Sequence, residues 1–295
     1  MTASELTLSV NAGIGKLRLA FFGAGSMAEA IVRGLLDRRL TMPGQIAMVN
    51  RQDQERLKEL HDRYHVITPF TEEAKQSSLE QADLIFLAMK PKDAEAALRH
   101  LKQFIQPHQL VVSLVAGLSI RTIERLLEID VPVVRTMPNT SSTIGLGATG
   151  LCFSAKVSEH LRKLSEEIFR SVGITAIVGE EQLLDAVTGL SGTGPAYVYY
   201  LMESMIEAGR QLGLGDEAAR ILTVQTVLGA AHMVQSTGEE PAELRRKVTS
   251  PNGTTQAALE LLASHQVGES FVKAISRAAE RAGELGAMIE GGVKP

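Results

Sequence analysis

Between residues 17 and 137 short β-rich runs alternate with segments of helical period, and this alternation narrows the fold more than any other feature of the chain. The runs are LRLAFF (17–22), IAMVN (46–50), a weaker HVIT (65–68), DLIFLAM (83–89), LVVSLVA (110–116) and VPVVRTM (131–137). SMAEAIVRGLLDRR, DQERLKELHDRY and PKDAEAALRHLKQF lie between them, with apolar residues at steps of three and four. Such a pattern describes a parallel sheet wound on both faces by helices. GATGLCFS and ITAIV (174–178) add further strands around the helix SEHLRKLSEEIFRSV.

The β signals stop near residue 180, and the rest of the chain reads as helices alone: EQLLDAVTGLS, GPAYVYYLMESMIEAGRQLG, DEAARILTVQTVLGAAHMVQST, a short PAELRRKV, and two more beyond the loop VTSPNGTT. The expected fold class is therefore α/β. A loose N-terminal extension (1–16) precedes a Rossmann-type doubly wound parallel sheet (17–180), and an all-α C-terminal domain (181–295) completes the chain. Segments 196–212 and 217–235 are apolar on more than one face and rich in Ala and Gly. Both are expected to be buried, completing their core against a second subunit to make a homodimer.

At 295 residues and 44% hydrophobic content the chain can bury a full core. Its net charge of −4 and its scattered Lys and Arg residues point away from nucleic acid and from anionic membrane surfaces. The longest apolar stretches are cut by Gln225 and His232 and fall short of the roughly 18 residues that cross a bilayer. The leader MTASELTLSVNAGIG has neither a basic n-region nor a sustained apolar h-region, so a soluble, cytoplasmic protein is expected. A single cysteine, Cys152 in GLCFSA, excludes an internal disulfide and reads as a small buried hydrophobe more readily than as a nucleophile.

FFGAGSMAEAI places Gly23, Gly25 and Ala28 between a strand and a helix, the setting a dinucleotide fingerprint requires. Gly23 permits the tight turn, Gly25 lets the backbone approach a pyrophosphate, and Ala28 packs helix on strand. The turn Gly23, Ala24, Gly25, Ser26, Met27 then offers the phosphates free N–H groups at a helix start. The second strand ends at Asn50, 22 residues past Ala28, near the ~20 at which such folds meet the ribose. There Asn50 can bond the ribose and Arg51 a 2′-phosphate, favouring NADP(H) over NAD(H); alternatively Arg51 is a solvated loop residue and Asp53 takes the ribose. Ala88, Met89, Lys90 and Pro91 lie at the carboxyl edge of the sheet, where the loop backbone is expected to touch the cofactor, with a catalytic Lys90 as the alternative, and Ala116 and Gly117 end the next strand at the same edge, beside the nicotinamide.

VTSPNGTT (248–255) breaks the helical half, because Pro251 and the Asn-Gly pair stop one helix and Thr254 and Thr255 start another. The free N–H groups there suit an anion such as a carboxylate, with Ser250 adding a hydroxyl; the plainer reading makes Thr254 a helix cap. SGTGPAY (191–197) is the other polar, glycine-rich stretch of this half.

FFGAGSMAEAI, AMKP, RTMPNT (135–140), LSGTGPAY and PAELRRKVTSPNGTT, in this order and spacing, resemble pyrroline-5-carboxylate reductase, the family that makes L-proline in the last step of its synthesis. The resemblance runs through nearly the whole chain from residue 17, with Asn252 standing where the family usually has glycine. It implies reduction of the C=N bond of a cyclic imino acid, with hydride passing from the nicotinamide to ring carbon C5, and no metal. It further implies that the substrate carboxylate sits on the N–H groups of Gly253, Thr254 and Thr255 and on Ser250, that the Thr255 hydroxyl meets the ring nitrogen as the catalytic group, and that Glu181 approaches the ligand. For Glu181, a first-turn helix acid is the competing reading. Family members often build larger rings from dimers. A β-hydroxyacid dehydrogenase would need a lysine base where SGTGPAYVYY has none, and a non-catalytic NADPH sensor would bind without turnover.

Overall fold

The computed structural model describes residues 13–292, so most of the expected N-terminal extension lies outside the described residues. Its last part is not loose: Ile14–Lys16 form a 3₁₀ turn, and Ile14 is buried in the core. The strands are β1 (Leu19–Phe22), β2 (Ile46–Val49), β3 (Leu84–Leu87), β4 (Leu110–Ser113), β5 (Val133–Met137), β6 (Gly147–Phe153) and β7 (Gly173–Ile177), and they form one sheet in the order β2-β1-β3-β4-β5-β6-β7. The helices around it are α1 (Ser26–Asp37), α2 (Gln54–Tyr64), α3 (Glu72–Glu80), α4 (Ala94–Leu101), α5 (Ile120–Leu127), α6 (Glu159–Arg170) and α7 (Leu183–Val187). Then come α8 (Gly194–Gln211), α9 (Asp216–Thr237), α10 (Pro241–Lys247), α11 (Thr254–Ser264) and α12 (Val267–Gly292).

β1, β2 and β3 are apolar throughout because both of their faces are covered, whereas Ser113 and Arg135 stand within β4 and β5 and the edge strand β7 leaves Ile174 and Ile177 exposed. Leu19, Phe21, Leu84, Phe86, Leu110 and Val112 enter one core, while Ala20, Ile85, Leu87 and Val111, which alternate with them, enter the other. Phe21 and Phe86 are register partners on β1 and β3, and their rings stack with centroids 4.3 Å apart. After β2 the chain returns across β1 to form β3, so the loops leaving β1 and β3 diverge at their carboxyl ends. That divergence is the switch point at which doubly wound sheets open a ligand crevice.

Two sequence expectations change here. HVIT forms no strand; it contributes an isolated bridge between Ala47 and Ile67, since Thr68 leads directly into Pro69 and the start of α3. The sheet is also not wholly parallel, because β5 and β6 pair antiparallel. The link from Met137 to Gly147 holds only a 3₁₀ turn, Thr140–Ile144, and is shorter than the dozen or so residues a parallel crossover needs.

The chain falls into two compact units, which divide after Gly192 and again before Ala278. Residues 181–192 therefore pack with the sheet and not with the later helices, and so does the last part of α12. In the first unit Leu184 is buried and Gly286 of α12 lies against the backbone of Gly117. The second unit, Thr193–Arg277, is helical, and Gly209 of α8 approaches Ala219 of α9 closely. The expected burial of α8 and α9 is not met within one chain. Val198, Leu201, Ile221, Leu222, Val224 and Leu228 are all exposed, because a pair of helices covers only the facing stripe of each.

Candidate functional site

A cavity of about 1100 Å³ opens in the first unit where the loops after β1 and β3 part. Gly23, Ala24, Gly25, Ser26, Asn50, Arg51, Ala88, Met89 and Lys90 all line it, so the structure gathers most of the expected cofactor residues around one space. Gly23 has φ +126, and a Cβ there would overlap the Ala88 carbonyl and stand 2.9 Å from the Met89 nitrogen, so the turn after β1 can press on the β3 loop only through glycine. Gly25 is different: it has an ordinary φ of −76 and open space where a Cβ would stand. It N-caps α1 with no side-chain cap, and the first helical carbonyl bond is Glu29 N–H to Gly25 O at 3.0 Å. The N–H groups of Ser26, Met27 and Ala28 thus have no partner among the described residues, which leaves the positive end of a twelve-residue helix available to an anion.

The side chains of the remaining expected cofactor residues are absent from the cavity lining. The side chain of Met27 packs against the core and does not line the cavity, and Pro91 begins an exposed 3₁₀ turn, Pro91–Asp93. Ala116 and Gly117 also lie outside its lining, with Gly117 packed on the backbone of α12. At the tip of β2 the Asn50 side-chain oxygen accepts from the N–H groups of Gln52 (3.2 Å) and Asp53 (3.4 Å), which shapes the loop and leaves the amide nitrogen to donate. Asp53 caps α2, accepting from Arg56 N–H at 2.9 Å, so its carboxylate is committed and the reading that gave it the ribose loses ground.

Sequence reasoning missed Arg56 and Lys75, both of which line the cavity. Arg56 Nε donates to the Ala24 carbonyl at 3.2 Å, bracing the glycine turn, and its guanidinium also pairs with Glu29 and Glu59. Glu29 stands in the first turn of α1, where an unmatched charge would repel phosphate. Burial alone would raise its carboxyl pKa, but hydrogen bonds from Arg56 and Tyr64 and the charges of Arg56 and Arg63 outweigh it and hold the group below the usual carboxylate range. The local signal for Arg56 was Asp53 three residues before it, an N-cap that sets Arg56 on the first turn of α2 beside the β2 tip. For Lys75 it was Thr71 followed by Glu72 and Glu73, the start signature of α3, where Thr71 accepts from Ala74 N–H at 3.2 Å.

Glu181 also belongs to the first unit, and its surroundings match neither sequence reading fully. Its Oε1 accepts from the Ile120 N–H at the start of α5 (2.8 Å) and from Arg135 (2.9 Å). Arg135 is buried on β5, and Asp185 lies 3.4 Å from its other nitrogen, so two acids neutralise one sheltered guanidinium. Cys152 pairs with Arg135 in the antiparallel register; burial, and then the charge of Glu181, push its thiol upward, which keeps it protonated and unsuited to nucleophilic attack.

Ser250, Gly253, Thr254 and Thr255 belong to the second unit. Asn252 adopts φ +59, the left-handed conformation that Asn tolerates, and Gly253 is the N-cap of α11 with no side-chain cap, so Thr254 is the first helical residue and not a cap. Gly253 N–H donates to Ser250 O at 3.1 Å, and Asn252 N–H donates to the side chain of Gln256 at 2.8 Å. Of the three amides expected to meet a carboxylate, Gly253 is therefore already engaged by the turn itself. The open set among the described residues is Thr254, Thr255 and Gln256, with Thr255 half-buried and Ser250, five residues earlier in the loop, exposed. The start of SGTGPAY closes a π-helical turn, Thr188–Gly192, ahead of α8, and Asn139 holds it by donating to the Ser191 carbonyl at 3.2 Å. No cluster of three or more His, Cys, Asp or Glu suited to a metal occurs among the described residues, and no helix there is long and apolar enough to cross a membrane.

A family model for pyrroline-5-carboxylate reductase dimerisation matches residues 181–285, and one for NADP oxidoreductase, coenzyme F420-dependent, matches residues 18–117. Pyrroline-5-carboxylate reductase 1 of Bacillus subtilis is 44% identical over 273 residues, covering 92% of this chain and 91% of its own length. The pyrroline-5-carboxylate reductase of Pseudomonas aeruginosa is 38% identical, covering 91% of this chain and 96% of its own. Among solved structures, a pyrroline-5-carboxylate reductase from Coxiella burnetii superposes with a TM-score of 0.84 at 38% identity, over 91% of this chain and 98% of that one. The Plasmodium falciparum pyrroline carboxylate reductase with NADP bound gives 0.82 at 27% identity, over 93% and 100%.

Proposed function

The chain belongs to the pyrroline-5-carboxylate reductase family, and from that premise we propose that it reduces 1-pyrroline-5-carboxylate to L-proline with NADPH. The observation that carries the reading is the pairing of that kinship, over nine tenths of the chain, with a dinucleotide-sized cavity built on the open start of α1. NADPH, when bound, supplies a hydride to C5 of the ring. The N–H groups of Ser26, Met27 and Ala28 receive its pyrophosphate, Asn50 its ribose, and Arg51 the 2′-phosphate.

A protonated imine is already a strong electrophile, so the protein chiefly has to hold the ring in position and exclude water. The carboxylate of the ring is taken by the uncapped amides of Thr254, Thr255 and Gln256, aided by the Ser250 hydroxyl. The Thr255 hydroxyl bonds the ring nitrogen and passes it a proton, directly or through water. Glu181 acts at one remove from the ligand, since Arg135 and the Ile120 amide already hold one of its oxygens. The apolar residues exposed on α8 and α9 are covered in a homodimer, from which larger rings assemble, and the enzyme works in the cytoplasm.

The test is direct. Purified protein given NADPH and pyrroline-5-carboxylate should oxidise the nicotinamide and release proline; tight NADPH binding with no oxidation would make the chain a sensor instead. Arg51→Ala is expected to weaken NADPH about tenfold in equilibrium binding while sparing NADH, the value of one charge-assisted contact to phosphate. An unchanged preference between the two nucleotides would remove Arg51 from the phosphate site.

A further inference from the structure

At the tip of β2 a further cation lines the cavity, delivered from α3 and not from the loop that carries Arg51. The Lys75 side chain is only 12% exposed, yet it ends in a charge: its ammonium donates to the Arg51 carbonyl at 3.4 Å and pairs with Glu72 at 2.7 Å. A stem buried this far against the protein aims the head group at one place, unlike the solvated lysines of an ordinary helix face. Its acidic partner is weakly held in turn. The Glu72 side chain is 73% exposed, so solvent screens the carboxylate end of the pair and a stronger anion can take its place. Arg51, which lines the same cavity, is exposed, and its guanidinium has no hydrogen-bond or ion-pair partner among the described residues.

A phosphate monoester carries between one and two negative charges at neutral pH and offers three acceptor oxygens. A planar guanidinium engages two of these side by side, and a compact ammonium suits the third. We propose that Lys75 is a specificity-determining residue of the cofactor cavity: its ammonium leaves Glu72 and, together with Arg51, binds the ribose 2′-phosphate, setting the preference for NADPH over NADH. The proposal rests on the reading of the cavity as an NADP(H) site, and it makes Glu72 a competitor that the phosphate displaces.

Titration calorimetry on the full chain with NADPH, NADH and adenosine 2′,5′-bisphosphate separates the two readings, because none of these measurements needs turnover. Wild type should bind NADPH more tightly than NADH; if it binds neither, the cofactor reading and this inference fall together. Lys75→Gln should raise the Kd for NADPH and for the bisphosphate about tenfold, the factor of one charged hydrogen bond, and change that for NADH less than about twofold. Lys75→Arg should recover most of the loss. Glu72→Gln frees the ammonium and should tighten NADPH by roughly two- to threefold with NADH unaffected. If wild type prefers NADPH but Lys75→Gln leaves its Kd unchanged, or weakens both nucleotides equally, or if Glu72→Gln loosens NADPH, Lys75 does not read the 2′-phosphate and only the cofactor assignment survives.

Discussion

Gly23→Ala is expected to destabilise the first unit by about 4 kcal/mol and lower its melting temperature by roughly 10 °C. Two effects add. The backbone at φ +126 is a conformation that residues with a Cβ rarely adopt, and the new methyl would strike the Ala88 carbonyl and the Met89 nitrogen, which are backbone atoms and cannot turn aside. NADPH binding should fall with it, since the β3 loop that must retreat lines the same cavity. Gly25→Ala separates folding from binding: its φ is ordinary and nothing stands within 4 Å of the new methyl, so the melting temperature should change by only a degree or two. The methyl would instead project into space that the pyrophosphate needs, and both NADPH and NADH should weaken by about tenfold or more. Thermal melts and nucleotide titration on the two variants check this. A Gly25→Ala protein that binds NADPH like wild type would show that the phosphates do not lie on this turn.

The contrast between these two glycines also shows how far the sequence could be read. Their division of labour was read from where GAGSMA sits between an apolar strand and a helix; the structure gives Gly23 a positive φ hard against the β3 loop and Gly25 an ordinary φ with open space around it. The first strands were legible for a related reason: β1, β2 and β3 are continuous apolar runs, a pattern imposed by burial on both faces. The direction of β6 was not, because nothing in GATGLCFS states whether its neighbour runs with it or against it; only the short link after Met137 decides that. Equally hidden were the partners of charged groups far apart in sequence. Glu181 meets Arg135 and the Ile120 amide across the fold, and Arg56 reaches back to Ala24, contacts that depend on tertiary placement and leave no local period or spacing. The exposed faces of α8 and α9 mark the converse case, since their composition demanded a cover that one chain does not provide.

The other large effect is expected at Thr255. It is the second residue of α11, and Gly253, not a hydroxyl, caps the helix, so removing its side chain deprives the fold of no cap. Alanine is in fact the better helix former, and Thr255→Ala should leave the melting temperature unchanged or slightly raised. What it removes is the hydroxyl proposed to meet the ring nitrogen, while the amides of Thr254, Thr255 and Gln256 remain open for the carboxylate. The kcat should therefore fall by roughly a hundredfold, the low end of what one positioned proton donor contributes, while the KM for the imino acid rises only a few-fold. NADPH affinity should stay within about twofold, because the cofactor cavity is built from the first unit alone. Thr255→Ser, which keeps the hydroxyl and loses the methyl, should recover most of the rate. Steady-state kinetics and NADPH titration on both variants decide the matter. Equal losses of turnover and NADPH binding, or a serine variant no better than alanine, would make Thr255 a structural residue of the loop and leave the ring nitrogen to be protonated by solvent.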